Sequence, residues 1–119
     1  YIVLGAVLKL ERGDGEKIKT YMDELKEKRV TKQPLEYPSA GSTFKRPEGY
    51  FAGKLIQDSG LKGFTVGGAQ VSEKHSGFVI NKGNATAADV MELIRQVTAK
   101  VKEDTGVTME PEVKQIGEF

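Results

Sequence analysis

Apolar side chains fall unevenly along this chain, and their spacing sorts it into elements. Residues 1–10, Tyr-Ile-Val-Leu-Gly-Ala-Val-Leu-Lys-Leu, are dense in β-branched and large apolar side chains. That density predicts a buried strand. Gly13-Asp14-Gly15 breaks it. From about Glu16 to Arg29 the period changes: Ile18, Tyr21, Met22 and Leu25 recur at helical spacing, which predicts a helix with this stripe buried. Glu24 and Lys28 form a favourable i,i+4 pair on its polar side. Residues 30–48 hold Pro34, Pro38, Gly41 and Pro47 and read as one long loop. Loops of that length in compact domains are functional or disordered.

A short helix is predicted at about Tyr50–Ser59, with Phe51, Leu55 and Ile56 inward and Gly60 as a left-handed cap. Phe64–Val66, Ala69–Val71 and Gly77–Ile80 read as short strands joined by tight glycine turns. Asn84 to about Asp104 carries the strongest helical pattern. Thr86 and Asp89 fit an N-terminal capping box, Val90, Leu93, Ile94, Val97 and Val101 form the apolar face, and Gly106 stops it. Val107–Met109 and Val113–Ile116 read as a final strand or strand pair. Strands and helices mix without regular βαβ alternation. The expected fold class is α+β, a small mixed or antiparallel sheet with helices packed on it.

Composition narrows the function classes. A chain of 119 residues is one domain by size. It has 18 basic and 17 acidic side chains, a net charge of +1. That balance gives no bulk attraction to nucleic acid or to a membrane surface, so neither is an expected partner. Cysteine is absent, which fits a reducing, cytoplasmic setting and excludes disulfide and thiolate sites. With one histidine, His75, and no clustered ligands, no metal is expected. No apolar run approaches the roughly 20 residues of a spanning helix, and no signal peptide is visible. The chain opens inside an apolar run without an initiator Met, so a fragment of a longer protein is expected, with a processed N-terminus as the alternative.

Candidate chemistry concentrates in one place. A dinucleotide site would need G-x-G-x-x-G after the first strand, but Ile18 stands at the third glycine, and Asp14 and Glu16 would repel a pyrophosphate. No Walker loop or G-x-S-x-G elbow is present. Residues 39–47, Ser-Ala-Gly-Ser-Thr-Phe-Lys-Arg-Pro, place the Ser42 hydroxyl after Gly41 and before Lys45 and Arg46. A serine on an exposed turn in a positive field suits proton donation to an anion. The same stretch suits a structural turn, with Ser42 capping the helix that follows. Residues alone leave both readings open. Lys32, Lys45, Arg46, Lys62 and His75 lie on or beside predicted loops, where several can converge on one anion; singly, each lysine is a solvated charge. Glu110 and Glu112 share a face of an extended segment, either as a charged edge or as a carboxylate aimed into a site.

Taken in order, these stretches resemble one family: Lys32-Gln33-Pro34, the Ser39–Pro47 run, Gly60-Leu61-Lys62-Gly63 with Val66–Val71, Gly77–Asn81 with Asn84-Ala85-Thr86, and Glu110–Gly117. The resemblance is to the C-terminal substrate-binding domain of UDP-N-acetylenolpyruvoylglucosamine reductases and covers nearly the whole chain. It implies that residues 1–119 are that domain of a larger flavoenzyme whose N-terminal domain binds FAD. In such enzymes NADPH reduces the flavin and a hydride passes to UDP-N-acetylglucosamine enolpyruvate. The enolate-like intermediate is then protonated, giving UDP-N-acetylmuramate for peptidoglycan and so for the cell wall, cell shape and division. By the same resemblance Ser42 matches the proton donor, and Glu112 the residue supporting the intermediate. Glu112 would act either protonated in the complex or paired with an arginine. Lys32, Arg46, Lys62 and His75 match positions that hold substrate. Arg46 stands where some members carry Asn, which with the compact 47–54 connection points to the subtype with a shorter substrate domain. The FAD domain and a third catalytic residue, an arginine within it, are not in this sequence. The chain by itself is therefore expected to bind no FAD and to turn nothing over. A non-catalytic sugar-nucleotide binding or regulatory module is the alternative, and a pure interaction domain a third.

Overall fold

The computed structural model describes residues 2–118, and Tyr1 of the predicted first strand lies outside them. The chain divides into two units, one up to Thr31 and one from Lys32 onward.

In the first unit, residues 2–14 form neither strand nor helix and are exposed throughout. Over residues 2–10, the described part of the predicted first strand, no strand is thus present. A strand is stable only when its backbone groups join a ladder, and every strand here comes from residues 39 onward. Helix α1, Gly15–Lys32, begins where Asp14 accepts the Lys17 N–H at 3.1 Å. The predicted Glu24–Lys28 pair is formed, and Lys19–Asp23 repeats it at 2.8 Å. The predicted buried stripe is not buried: Ile18, Tyr21, Met22 and Leu25 are all exposed, and no residue of α1 is buried. A unit this short has too little apolar surface to enclose a helix face.

The second unit carries the core. Strands β1 (Ser39–Ser42), β2 (Thr65–Val66), β3 (Ala69–Val71) and β4 (Phe78–Asn81) make one antiparallel sheet in the order β1-β4-β3-β2. The α+β expectation holds. Residues 39–42 were expected in a loop, but the stretch pairs with β4 through a bulge: Ser39 faces Ile80 and Ser42 faces Phe78. The extra residue is accommodated at Gly41, whose φ of 86° is left-handed.

Helix α2 (Ala52–Asp58) packs on helix α3 (Ala87–Thr105), which packs in turn on β2 and β3. Leu55 and Ile56 of α2 point inward as expected. Phe51 does not; it precedes the helix and is 61% exposed. Gly60, at φ 69°, closes α2 with two reversed bonds, Gly60 N–H to Gln57 O at 3.0 Å and Leu61 N–H to Ile56 O at 3.1 Å. Helix α3 matches its prediction closely. The Thr86–Asp89 capping box forms, Gly106 takes φ 75°, Leu93, Ile94, Val97 and Val101 are buried, and Val90 is partly so. Ile56, Val71, Leu93, Val97, Val101 and Met109 are at most 2% exposed and knit sheet to helices.

On the outer face of α3, Arg95 grips Glu92 through two bonds of 2.7 and 2.6 Å. This contact first, and Gln96 second, pull the Glu92 carboxyl from 4.5 down to about 2. A lowered carboxyl stabilises the fold above its unfolded value and loses that contribution as pH falls through the folded one. Glu92→Gln is therefore expected to lower the thermal midpoint modestly at pH 7, where the contribution is fully present, and to converge on the parent as pH falls from 4.5 to 2, read by circular dichroism. Equal acid sensitivity in parent and variant would contradict this.

The predicted terminal strands, Val107–Met109 and Val113–Ile116, do not form. One antiparallel bridge, Phe44 to Pro111, stands in their place, and Ile116 is exposed. Lys45 N–H bonds Glu110 O at 2.9 Å and Glu112 N–H bonds Thr43 O at 2.8 Å. Phe44 and Pro111 thus form the non-hydrogen-bonded pair, which asks nothing of the missing Pro N–H.

Candidate functional site

The bulge, the bridge and two turns converge on one cleft of about 530 Å³. Ser42 enters it from the end of β1, Arg46 from the segment beyond, Gly53 and Lys54 from α2, Lys74–Gly77 from the β3–β4 turn, and Glu112 from beyond the bridge. Gly53 allows the helix to lie close to the turn, because a Cβ there would sit 3.2 Å from Gly77 N and 3.5 Å from His75 Cε1.

Thr43 anchors the serine. Its N–H bonds Gly77 O at 2.9 Å, its carbonyl holds Glu112 N–H, and its buried hydroxyl accepts the Val79 N–H at 3.0 Å. One residue thereby fixes Ser42 against both β4 and the Glu112 segment. Thr43→Val keeps the shape but orphans a buried N–H, so a loss of about 1–3 kcal/mol is expected in denaturant unfolding. A variant as stable as the parent would show the bond to be dispensable.

Ser42 is exposed, and its hydroxyl donates only a long 3.4 Å bond to Phe44 O. It caps no helix, so the structural-turn role read from sequence is not the one it plays. Its proton is weakly engaged within the chain. The Arg46 guanidinium lies 4.0 Å from the Phe51 ring centroid, with Nε bonded to Tyr50 O at 3.2 Å. This stacked pose holds a fixed charge at the rim. His75 Nδ1 accepts the Gly77 N–H at 3.1 Å, so a neutral ring carries its proton on Nε2. The two carboxylates diverge. Glu110 takes the Lys45 ammonium at 2.8 Å, and that hydrogen bond holds its carboxyl below the ordinary value. Glu112 lines the cleft, where it is exposed.

Four of the six residues singled out in the sequence, Ser42, Arg46, His75 and Glu112, therefore share this cleft, while Lys32 and Lys62 are exposed and do not line it. Sequence reasoning missed Lys54, Lys74 and Ser76, all in the walls. The available signal was the turn chemistry of Ser72, whose hydroxyl accepts both the Lys74 and His75 N–H groups and so turns 74–77 toward Gly53. Arg46, Lys54 and Lys74 against Glu112 leave the cleft net positive, fit for an anion beside a hydroxyl and a carboxylate. Among the described residues no three His, Asp or Glu side chains cluster to hold a metal, and no helix is long and apolar enough to cross a membrane.

Fold and cleft together define an α+β domain with an open, cation-lined cleft beside a serine. The family model for the C-terminal domain of UDP-N-acetylenolpyruvoylglucosamine reductase matches residues 33–116, and the chain belongs to that family. The reductase of Agathobacter rectalis is 66% identical over the whole chain, which covers 38% of that protein. The one from Caldanaerobacter subterraneus is 62% identical over 99% of the chain, covering 39% of its length. A crystal structure of the Thermus caldophilus reductase superposes with a TM-score of 0.72 at 39% identity, covering 89% of this chain and 37% of that one. The chain thus spans about 38% of the length of such relatives.

Proposed function

We infer that this chain supplies the substrate half-site of a cytoplasmic reductase that converts UDP-N-acetylglucosamine enolpyruvate to UDP-N-acetylmuramate for peptidoglycan synthesis. The observation that carries the reading is the meeting of Ser42, Arg46, His75 and Glu112 in one positive cleft. The family's substrate is an anionic sugar nucleotide, and its chemistry ends in a protonation.

The glycine-flanked start of α1 does not fit the pyrophosphate of FAD: the Asp14 carboxylate already takes the Lys17 N–H there, placing negative charge where the phosphates would bind. In this reading flavin, reduced by NADPH, belongs to the rest of the longer protein and supplies the hydride. The residues here bind, orient and protonate. Arg46 and His75 hold the substrate's anionic and polar groups. Ser42 gives its proton to the carbanionic carbon, or relays one from solvent, since a serine hydroxyl is too weak an acid to donate without nearby positive charge. Arg46, on the rim of the cleft, provides that charge. Glu112 supports the intermediate, as an acid or through a cation. Lys32 and Lys62, outside this cleft, would reach substrate parts that extend beyond it.

Amide NMR titration of the chain with UDP-N-acetylglucosamine enolpyruvate tests this. Shifts are expected at Ser42, Arg46, His75 and Glu112. Shifts confined elsewhere, or none at millimolar ligand, would overturn a preformed half-site.

A further inference from the structure

Of the cations lining the cleft, two have firm partners. Lys54 holds Asp58 at 2.8 and 3.0 Å, and Arg46 is stacked and bonded as described. Lys74 differs. Its ammonium lies 3.5 Å from Glu36 Oε2, a looser ion pair than that of Lys54 with Asp58. It also borders two clefts at once, the one holding Ser42 and His75 and a second, of about 190 Å³, holding Glu36 and Lys82.

We propose that Lys74 is a further anion-binding residue of the Ser42 cleft, parked on Glu36 when the cleft is empty and released from it to a phosphate or carboxylate group of the bound ligand. The proposal rests on the substrate reading above and adds a residue to it. Three features carry it. A half-exposed pair at this distance is a weak hold, whereas a ligand diphosphate offers two charges and several acceptor oxygens. The backbone beneath Lys74 is fixed, because its N–H is bonded to Ser72 Oγ at 3.1 Å, so only the side chain needs to swing. And Glu36 is not stranded when Lys74 leaves. Lys82, bonded to Tyr37 OH at 2.8 Å, stays beside it, and its charge also acts on the Glu36 carboxyl.

Glu36 is then a competitor for Lys74, and removing it should strengthen ligand binding. Titrations with UDP-N-acetylglucosamine enolpyruvate, read at the Ser42 and His75 amides, would compare the parent with Glu36→Gln, Lys74→Met and the double variant. Glu36→Gln is expected to tighten binding about 2–4-fold and Lys74→Met to weaken it about 5–10-fold, in line with partly exposed charge contacts. In the Lys74→Met background Glu36→Gln should do nothing, because the competition is gone. At high salt the gain from Glu36→Gln should shrink. Inorganic pyrophosphate in place of the nucleotide tests whether the diphosphate alone draws Lys74; if its affinity ignores Lys74→Met, the carboxylate is the target. If the nucleotide binds all four proteins equally, Lys74 has no such role while the substrate site stands. If the parent shows no shift, both the site reading and this one fall. Retained amide dispersion checks that each variant is folded.

Discussion

Gly68→Ala is expected to destabilise the second unit by about 3 kcal/mol or more, beyond the usual range for an added methyl group. A Cβ at Gly68 would stand 2.1 Å from Gly83 O, 2.4 Å from Ala85 N and 2.7 Å from Ala85 Cα. These are backbone atoms, so no rotamer change relieves them. Nor can Gly68 back away. Its carbonyl accepts the Lys82 N–H at 2.9 Å, and its own N–H reaches Asp89. Asp89 is tied in turn to Thr86, whose N–H and hydroxyl are the main reasons its carboxyl sits below the ordinary value. The clash would therefore push apart the β2–β3 turn, the turn after β4 and the start of α3 together. For a domain of this size the thermal midpoint should drop by roughly 12–24 °C. Gly83→Ala is the control, since a Cβ there meets nothing within 4 Å; it should change stability by no more than about 0.5 kcal/mol. A Gly68→Ala protein melting within a few degrees of its parent would mean the approach of 68 to 83–85 is not required.

The second large effect concerns chemistry. On the proposed reading, Ser42→Ala in the full-length protein slows turnover about 10²–10⁴-fold, the usual span for losing a positioned proton donor. The loss should fall on kcat with KM little changed, because a hydroxyl that acts in the transition state contributes little to substrate binding. Reduction of the flavin by NADPH should be untouched. Stability should also be unchanged, since the substitution removes only the 3.4 Å bond to Phe44 O. That separation matters: a slow but folded, substrate-binding variant locates the defect in proton transfer. A Ser42→Ala enzyme that keeps parental turnover would remove Ser42 from the mechanism.

What the sequence disclosed follows from how local each signal is. Helix α3 was legible end to end, because its capping box, apolar stripe and terminal glycine all lie within the helix itself. The hairpin strands were legible for the same reason, with Gly67 and Gly68 marking the turn between Val66 and Ala69. The Ser42 cleft was half legible. Its serine and cations stood out, but Lys54, Lys74 and Ser76 enter it only through tertiary packing. Strand β1 was missed because Pro38 and Gly41 look like loop residues. An isolated glycine between Ala40 and Ser42 is also the mark of a bulge, and that reading would have found the strand. The errors at residues 1–10 and in the α1 stripe share one cause. Apolar periodicity reports which face seeks burial, not whether a partner surface lies in the same unit. Phe51 was misplaced because its periodicity fits α2 while its ring serves Arg46 instead.

The Phe44–Pro111 bridge has a consequence in time. The contacts that carry Glu112 to the serine join residues as far apart as Lys45 and Glu110, 65 positions in sequence. The hairpin and α3, by contrast, are held by contacts only a few positions apart in sequence. Closing a loop as long as that from Lys45 to Glu110 is slow, because its entropy is lost before the contact rewards it, so in refolding the bridge is expected to form after the hairpin and α3. On the proposed reading, the Ser42 cleft is therefore complete only once the slowest contact of the unit has closed.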